Sequence, residues 1–338
     1  MASNVHGIIK NEYERRQKEA RDKLDIRRDE VYSKIPRIPE IEMQIRMSSI
    51  RYNKLILSGC MDEESKRSYF EEIYGLSKEK EMLLEREGYP ADYLSERYIC
   101  SMCSDTGLSG GKGPETCSCY KQLLIDAVYK SSNLQITKVE NFSAFDERFY
   151  PDTADEKSYG IKISPRQNIL MIKDACIKFI EDFANPETKN LFFTGKTGAG
   201  KTFMSNCVAA EILSKGYTVL YQTAPMMFAA INEYRFKASK SDDVYTDLAY
   251  KSIFDTNLLI IDDLGTEPQS AARYTEFLNI LNMRYMDNLK RPCKTIISTN
   301  LGVRSLYEYY TERVASRIIS GFDMYRFAGN DIRVQKGL

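Results

Sequence analysis

The spacing of hydrophobic and polar positions divides the 338-residue chain into regions of different character. Residues 1–98 are very charged, and their apolar positions form only a rough stripe over 41–57, which predicts solvated helices. Asp62 has the character of a helix N-cap, and that helix is predicted to end before Gly88. Over residues 166–338, short apolar runs alternate with amphipathic segments, as in a parallel sheet with helices on both faces. The predicted fold class is therefore α/β, with a helical region in front.

Two shorter segments lie between the charged helices and the predicted sheet. Residues 99–130 contain a cluster of cysteines, and residues 131–165 have a mixed composition with turn residues, which is typical of a linker. The chain is thus predicted to have four parts, with bounds at 1–98, 99–130, 131–165 and 166–338. Composition leaves open whether the first part is a solvated bundle or a docking module for a partner protein.

A short apolar strand at Asn190–Thr194 runs into a glycine-rich loop, and a helix is predicted to follow. The loop has the pattern G-x-x-x-x-G-K-[ST] in the strand–loop–helix context of a phosphate-binding loop. Its glycines let backbone N–H groups point at a phosphate, and the helix N-terminus adds partial positive charge. Lys201 would reach the β- and γ-phosphates, and the Thr202 hydroxyl would ligate Mg²⁺. The predicted nucleotide-binding residues are Gly195, Lys196, Thr197, Gly198, Ala199, Gly200, Lys201 and Thr202.

Two carboxylates follow a second apolar run, Leu258–Ile261, which suits a strand buried on both faces. Asp262 would hold Mg²⁺, through water, and Asp263 would orient or activate the attacking water. Glu267, shortly after them, is the alternative base. A solvated turn after a strand would need no such function, but the phosphate-binding loop upstream favours the catalytic interpretation.

A third strand, Lys294–Thr299, ends at Asn300. A polar side chain at that strand end would lie beside the γ-phosphate and sense it. The loop, the acidic pair and this asparagine together predict a P-loop site that binds and hydrolyses ATP, with ATP and Mg²⁺ as cofactors.

These motifs resemble those of the AAA+ ATPases of the DnaC/DnaI helicase-loader family, which share an IstB-like core. The stretches that carry the resemblance are Gly-Lys-Thr-Gly-Ala-Gly-Lys-Thr, Leu-Leu-Ile-Ile-Asp-Asp-Leu-Gly-Thr-Glu, Ile-Ser-Thr-Asn and Glu-Arg-Val-Ala-Ser-Arg-Ile. The resemblance covers residues 165–338 and implies an AAA+ sheet. The Asp-Asp pair fits this family, whereas most AAA+ proteins place Glu second, so the base stays open between Asp263 and Glu267.

The resemblance also implies roles for arginines. Arg317 would be a finger that reaches the γ-phosphate of a neighbouring subunit, and Arg313, one helical turn earlier, is the alternative. Ion pairs on a helix surface would explain both residues without such a role. Arg333 resembles the sensor arginine of the family and would contact nucleotide in its own subunit. Because this sequence stops at Leu338, a large helical lid is not expected.

Partners are implied as well. The resemblance predicts an ATP-dependent loader of a DnaB-type replicative helicase hexamer, which the N-terminal region would hold. The ATPase domains would self-assemble through Arg317 and engage single-stranded DNA. Two rivals stay open: a transposase helper ATPase with the same core, and a nucleotide-switched zinc scaffold with little turnover.

Two segments that interleave aromatic and basic residues are the candidates for the DNA contact. Such interleaving suits base stacking and backbone contact on single strands, and in the family both regions face the pore of the assembled ring. Composition alone would leave each as an ordinary helix surface. The candidate residues are Tyr234, Arg235, Phe236, Lys237, Arg273 and Tyr274, with Lys240 just beyond the first segment.

Four cysteines, Cys100, Cys103, Cys117 and Cys119, form two close pairs on either side of a glycine-rich loop. Two knuckle-like turns would supply four thiolates to a tetrahedral Zn²⁺, which would leave no open position for catalysis. The segment is also similar to the zinc module of the helicase loaders. An iron–sulfur cluster and free or redox-active thiols are the alternatives.

Charge and composition narrow the other classes of function. Lys and Arg number 48, as do Asp and Glu, so nucleic-acid binding would need a local patch. An apolar run long enough to cross a membrane is not apparent, and residues 1–10 lack the core of a secretory signal, so a cytosolic protein is expected. The single histidine, His6, leaves acid–base chemistry to carboxylates. The scattered cysteines Cys60, Cys176, Cys207 and Cys293 are expected to be small buried residues.

Overall fold

The structure, a computed structural model, describes residues 2–59, 62–111, 113–129, 140–237 and 244–335. The chain divides into two compact units, Lys10–Lys112 and Gly113–Leu338, and Met1–Ile9 belongs with the second. This division falls inside the predicted segment 99–130, and the four-part organisation stays a prediction. Cys60, Lys240 and residues 131–139 of the predicted linker lie outside the described residues, as does the side chain of Lys237.

The unit Lys10–Lys112 is built on helices. They are α1 (Ala2–Lys34, which begins in the other unit), α2 (Arg37–Leu57) and α3 (Glu63–Arg86), and strand β1 (Leu108–Gly111) follows. Pro36 is the N-cap of α2, and Pro39 lies in its first turn, where a missing N–H removes no helical hydrogen bond. Pro36 therefore lies between α1 and α2, and Pro39 is accommodated in the first turn of α2. The predicted cap of α3 is confirmed, because Asp62 accepts a hydrogen bond of 2.7 Å from the Ser65 N–H.

A small hydrophobic core holds the end of α1, the start of α2 and the end of α3 together. It consists of Val31, Ile35, Ile38, Leu84 and Leu94. Much of the remaining apolar surface of α2 and α3 is exposed, including Leu57, which is 87% exposed, and Tyr74, which is 68% exposed.

A parallel five-stranded sheet forms the centre of the other unit, as predicted. The strands are β3 (Asn190–Gly195), β4 (Val219–Thr223), β5 (Leu258–Leu264), β6 (Lys294–Thr299) and β7 (Phe322–Phe327), in the order β4-β5-β6-β3-β7. Strand β2 (Gly113–Thr116) precedes it in sequence. Thr194 pairs with Thr299, and Thr223 pairs with Asp262. The carboxyl ends of β3, β5 and β6 therefore meet at one edge, where the predicted phosphate loop, acidic pair and Asn300 follow.

Helices cover both faces of this sheet, and each face has its own hydrophobic core. The helices are α4 (Ser118–Val128), α5 (Glu156–Tyr159), α6 (Pro165–Glu181), α7 (Lys201–Ser214), α8 (Ala224–Lys237), α9 (Val244–Asp255), α10 (Ala271–Asn288), α11 (Val303–Tyr309), α12 (Glu312–Gly321) and α13 (Ile332–Gln335). Ser164 and Gln167 form a capping box at the start of α6, with Pro165 as its first residue. No helix in the described ranges is both long and apolar enough to cross a membrane.

The described part of the predicted linker packs onto the sheet unit. Two short 3₁₀ turns, Phe142–Ala144 and Glu147–Phe149, lead to Tyr150, which is buried in the core on the α6–α7 face. The Tyr150 hydroxyl donates a hydrogen bond of 3.2 Å to the carbonyl oxygen of Ala199 in the phosphate loop. Residues 142–150 are therefore placed against the predicted nucleotide site.

Candidate nucleotide site and cysteine cluster

The phosphate loop between β3 and α7 requires glycine at particular positions. Gly198 and Gly200 have φ angles of +75° and +97°, which side-chain-bearing residues rarely adopt. A Cβ at Gly198 would clash with the carboxylate of Asp331, and one at Gly200 would clash with the hydroxyl of Tyr150. The backbone is thus folded tightly at the start of α7, whose N-terminus points its free N–H groups toward the loop.

Lys201 lies under this loop and is nearly buried. Its Nζ donates hydrogen bonds to the carbonyl oxygens of Gly195 (2.8 Å) and Lys196 (3.1 Å) and to Oδ1 of Asn300 (2.8 Å). Burial lowers the pKa of Lys201, and the carboxylates of Asp262 and Asp263 oppose that shift. The structure therefore brings together the lysine and the asparagine that the sequence predicts at the γ-phosphate.

Asp262 is buried at the end of β5 and is surrounded by hydrogen-bond donors. Its Oδ2 accepts from the Thr202 hydroxyl at 3.1 Å and from the Tyr221 hydroxyl at 2.7 Å, and its Oδ1 accepts from the Asp263 N–H at 3.0 Å. The predicted magnesium ligands Thr202 and Asp262 are thus neighbours. Both offer oxygen atoms, the ligands that Mg²⁺ prefers, so the residues present fit that ion.

The two candidate bases differ in what surrounds them. Asp263 lines the cavity with a φ angle of +54° and is exposed as a residue, while partial burial of its carboxyl and the charge of Asp262 raise its pKa. Glu267 is buried, accepts a 2.8 Å hydrogen bond from the Gly265 N–H, and is hydrogen-bonded by the Tyr310 hydroxyl. Asp263 therefore faces the site, whereas Glu267 is engaged in holding the loop after β5.

A cavity of about 600 Å³ connects these groups. Its lining includes the predicted site residues Lys201, Thr202, Asp263, Asn300 and Arg333. It also has an apolar wall of residues that the sequence motifs do not include, namely Phe145, Phe149, Tyr150, Phe203 and Ile332. The one signal that would have found this apolar wall is the density of aromatic residues over 142–150. The cavity thus combines polar groups that suit phosphate with apolar groups that suit a nucleotide base.

Comparison with known proteins assigns the domain that carries this cavity. Residues 153–316 match the family described as IstB-like ATP binding protein. These residues form an IstB/DnaC-type AAA+ ATPase domain. The expected P-loop fold and the expected class of enzyme, an ATPase, are both confirmed.

The chain is similar to individual proteins and to solved structures. The replicative helicase loader DnaC of Escherichia coli (strain K12) is 27% identical over 179 residues, which are 50% of this chain and 68% of the relative. The putative insertion sequence ATP-binding protein y4pL of Sinorhizobium fredii (strain NBRC 101917 / NGR234) is 26% identical over 149 residues, 43% of this chain and 56% of the relative. A crystal structure of the DnaC helicase loader is 24% identical with a TM-score of 0.38, over 48% of this chain and 90% of that one.

The three arginines with predicted roles, Arg313, Arg317 and Arg333, lie in two different places in the structure. Arg333 lines the cavity, and the N–H of its neighbour Ile332 donates a 3.0 Å hydrogen bond to the Gly198 carbonyl, which attaches α13 to the phosphate loop. Arg317 and Arg313 lie on α12, outside the cavity lining. The Arg317 guanidinium stands over the ring of Tyr285, 5.5 Å from its centroid. Arg333 thus lies in the cavity lining, whereas Arg317 contacts an aromatic ring outside that lining.

The predicted DNA-contact residues of the domain are not equally accessible. Tyr234 stacks on Tyr250 with ring centroids 4.1 Å apart, and Tyr274 packs edge-on against Tyr310 at 5.6 Å. Phe236, by contrast, is 77% exposed.

Both arginines of the two segments have partners within the domain. Arg235 pairs with the buried carboxylate of Glu276, and the Arg273 guanidinium lies 6.0 Å from the Phe228 ring centroid. Phe236 is therefore the candidate whose ring is most open to a base.

The four cysteines ahead of the domain form one cluster. The Sγ atoms of Cys100, Cys103, Cys117 and Cys119 all lie within 4.8 Å of one another. Asp105, which is buried, accepts hydrogen bonds from the N–H groups of Ile99 (2.8 Å) and Cys100 (3.0 Å), and so fixes the first pair of thiols. The N–H of Gly107 donates to the Cys103 sulfur at 3.4 Å. Four converging sulfurs, one of them with a backbone donor, fit a tetrahedral metal.

Proposed function

We propose that this chain is an ATP-dependent loader of a DnaB-type replicative helicase onto single-stranded DNA. The observation that carries the proposal is the combination of an IstB/DnaC-type ATPase domain with a four-cysteine cluster and a helical unit ahead of it. The relative from Escherichia coli is itself named a replicative helicase loader. On this proposal, the helical unit and the cysteine cluster ahead of the ATPase core distinguish the chain from a transposase helper ATPase.

In the nucleotide cavity, Thr202 and Asp262 would hold Mg²⁺, which supplies positive charge that offsets the charge of the phosphates. Lys201 and Asn300 would contact the γ-phosphate from the floor of the site. Asp263 would orient the attacking water and accept its proton. Its exposure at the cavity supports this role over that of Glu267, whose carboxylate already has two donors.

ATP would act as an assembly switch. Arg333 would contact the nucleotide in its own subunit, and Arg317 would reach the γ-phosphate bound by a neighbour. The position of Arg317 on α12, away from the cavity of its own chain, supports a role that requires a second copy. Hydrolysis would then remove the group that the finger contacts and loosen the assembly.

The cysteine cluster would bind Zn²⁺ in a structural role. Four protein thiolates complete a tetrahedral shell, so the ion would have no position for a substrate. Its effect would be to fold a short segment that has little core of its own. Together with the helical unit, this segment would form the part that holds the helicase.

The exposed side chains of α2 and α3 support a partner surface. Leu57, Phe70, Tyr74, Met43 and Met47 are all more than half exposed. Exposed apolar groups of this kind on one pair of helices are typical of protein-binding surfaces. Single-stranded DNA would instead be contacted by the ATPase domain, at Phe236.

A second candidate function is assistance to a transposase. The match to the insertion sequence protein from Sinorhizobium fredii favours it, because that relative aligns with the same kind of ATPase core. On this alternative the ATPase chemistry would be unchanged, and the partner would be a transposase in place of a helicase.

Native mass measurement of the full chain with the host's replicative helicase, with and without ATP, tests the proposal. We expect a defined complex that is lost when residues 1–130 are deleted, while the truncated chain still binds ATP. A complex with a transposase and none with the helicase would establish the alternative. Failure of the intact chain to bind ATP would contradict the site assignment itself.

A further inference from the structure

Tyr221 lies in the middle of β4, fully buried, and yet its hydroxyl reaches the catalytic edge of the sheet. The residue opposite it on β5 is Ile260, and Asp262 is two positions further along that strand. Alternate residues of a strand share a face, so the ring of Tyr221 points along the same side of the sheet as the Asp262 carboxylate. The phosphate-loop and acidic-pair motifs do not include this tyrosine.

The hydroxyls of Tyr221 and Thr202 converge on one oxygen atom. Asp262 Oδ2 accepts from Tyr221 at 2.7 Å and from Thr202 at 3.1 Å. The other oxygen, Oδ1, accepts from the Asp263 N–H. Tyr221 and Thr202, the other predicted magnesium ligand, are therefore hydrogen-bonded to the same oxygen of the Asp262 carboxylate.

Packing alone would not call for a hydroxyl at this position. A buried hydroxyl costs free energy unless it is hydrogen-bonded, and phenylalanine would fill the same space without that cost. The Asp262 carboxylate satisfies this hydroxyl, which donates to it at 2.7 Å. A donor to a buried carboxylate favours the charged form and fixes its orientation. Partners of this kind around metal-binding side chains typically change metal affinity tenfold or more.

We infer that Tyr221 is a positioning residue of the magnesium site, which acts by holding Asp262 in the orientation that faces Thr202. It would not touch nucleotide or the reacting atoms. Removing its hydroxyl should weaken the contribution of Asp262 to Mg²⁺ binding. The site would then need a higher Mg²⁺ concentration to bind nucleotide. The inference rests on the nucleotide site alone and holds whether or not the chain loads a helicase.

The test is a titration of nucleotide binding with Mg²⁺ in the full chain, with a fluorescent ATP analogue as the probe. In Tyr221→Phe, the Mg²⁺ concentration at half-saturation should rise about tenfold. Affinity for the same analogue in EDTA should stay within about twofold of wild type, because the hydroxyl acts only through a metal ligand. Turnover at saturating Mg²⁺ should recover most of the wild-type rate.

Tyr129→Phe is the matched control. Tyr129 is also buried, and its hydroxyl donates a 2.6 Å hydrogen bond to the Ala249 carbonyl, away from the cavity. This variant loses a buried tyrosine hydroxyl and should leave the Mg²⁺ titration unchanged. Thermal unfolding of both variants shows whether they are equally folded.

A double substitution guards against an effect through stability. In an Asp262→Asn background, Tyr221→Phe should produce no further shift in the Mg²⁺ titration, because its target has been removed. A tenfold shift that persists in that background would overturn the inference. So would a Tyr221→Phe titration that matches Tyr129→Phe, or an equal loss of affinity with and without Mg²⁺. A wild-type chain that binds the analogue independently of Mg²⁺ would contradict the magnesium site, not the role of Tyr221 alone.

Discussion

The sheet of the ATPase domain and the helical unit Lys10–Lys112 differ in how far their apolar residues are buried. In the sheet, β3, β5 and β6 are buried on both faces, and polar side chains collect where the strands end. In the helical unit, a core of five residues holds the helix ends together, while several apolar side chains of α2 and α3 are exposed among charged ones. On the proposed function, nucleotide chemistry would belong to the strand ends of the sheet and partner contact to the helix faces of the other unit.

A substitution in the cysteine cluster should have the largest effect, and it tests whether partner binding can be lost without loss of ATP binding. Cys103→Ser should reduce bound zinc from about one ion per chain to none and unfold its segment, because structural zinc sites contribute about 10–16 kcal/mol of binding free energy. ATP binding should be unchanged and helicase binding lost. Metal content by atomic absorption measures the first effect, with Cys176→Ser, at a buried cysteine of the sheet unit, as the control. Full zinc content in Cys103→Ser would refute a four-thiolate site.

Replacing the candidate base tests the chemistry of the sheet edge. Asp263→Asn should lower ATP turnover by about two to four orders of magnitude, the range for loss of a general base, and leave ATP bound. Since the pKa of Asp263 is raised, turnover should fall as pH decreases through a value above 3.8, the ordinary value for aspartate.

Glu267→Gln is the matched comparison for that experiment. Glu267 holds two donors, so its loss should lower the free energy of unfolding by about 1–3 kcal/mol and reduce turnover far less. A chain in which Glu267→Gln stops turnover and Asp263→Asn does not would reverse the two assignments. Steady-state turnover and thermal unfolding, measured on both variants, separate the outcomes.

The two lysines of the phosphate loop differ in burial, and we expect them to differ in their contribution to ATP binding. Lys201→Ala should weaken ATP binding about a hundredfold, because hydrogen bonds to charged groups contribute about 1.5–3 kcal/mol each. Lys196→Ala is the control, since Lys196 is exposed on the same loop. Equal losses in the two variants, measured by isothermal titration, would mean that Lys201 has no special contact with phosphate.

DNA binding is the smallest expected effect. Phe236→Ala should weaken single-strand binding by about 1–3 kcal/mol, the usual contribution of one stacked base, and spare nucleotide binding. Tyr307→Ala, at a half-exposed ring on α11, controls for a general loss of surface aromatics. Unaltered affinity of Phe236→Ala for a labelled oligonucleotide would remove Phe236 from the DNA surface.

The polar residues of the site are predictable from the sequence, whereas its apolar wall is not. Residues that follow buried parallel strands must meet at one edge, so Lys201, Asp262 and Asn300 can be grouped from sequence alone. The strand Lys294–Thr299 has the predicted bounds. The apolar wall of the cavity escaped prediction because Phe145 and Phe149 lie in a segment without periodicity, and only its packing beside the phosphate loop gives them a role.

Surface roles are harder to predict, because they depend on which side chains other elements cover. Tyr234 and Tyr274, like Phe236, are aromatic residues next to basic ones in the sequence. In the structure, however, the rings of Tyr250 and Tyr310 pack against those of Tyr234 and Tyr274. Likewise, the charged pattern of residues 1–98 predicts helices correctly but does not distinguish buried from exposed apolar positions. Those distinctions arise from tertiary contacts.

The most direct test of the central claim is helicase loading onto closed circular single-stranded DNA, which has no end for spontaneous threading. We expect the full chain with Mg²⁺ and ATP to deposit the host's DnaB-type helicase on the circle, and Arg317→Ala or deletion of residues 1–130 to abolish deposition. A wild-type chain that hydrolyses ATP but leaves the helicase off the circle would contradict the loader function.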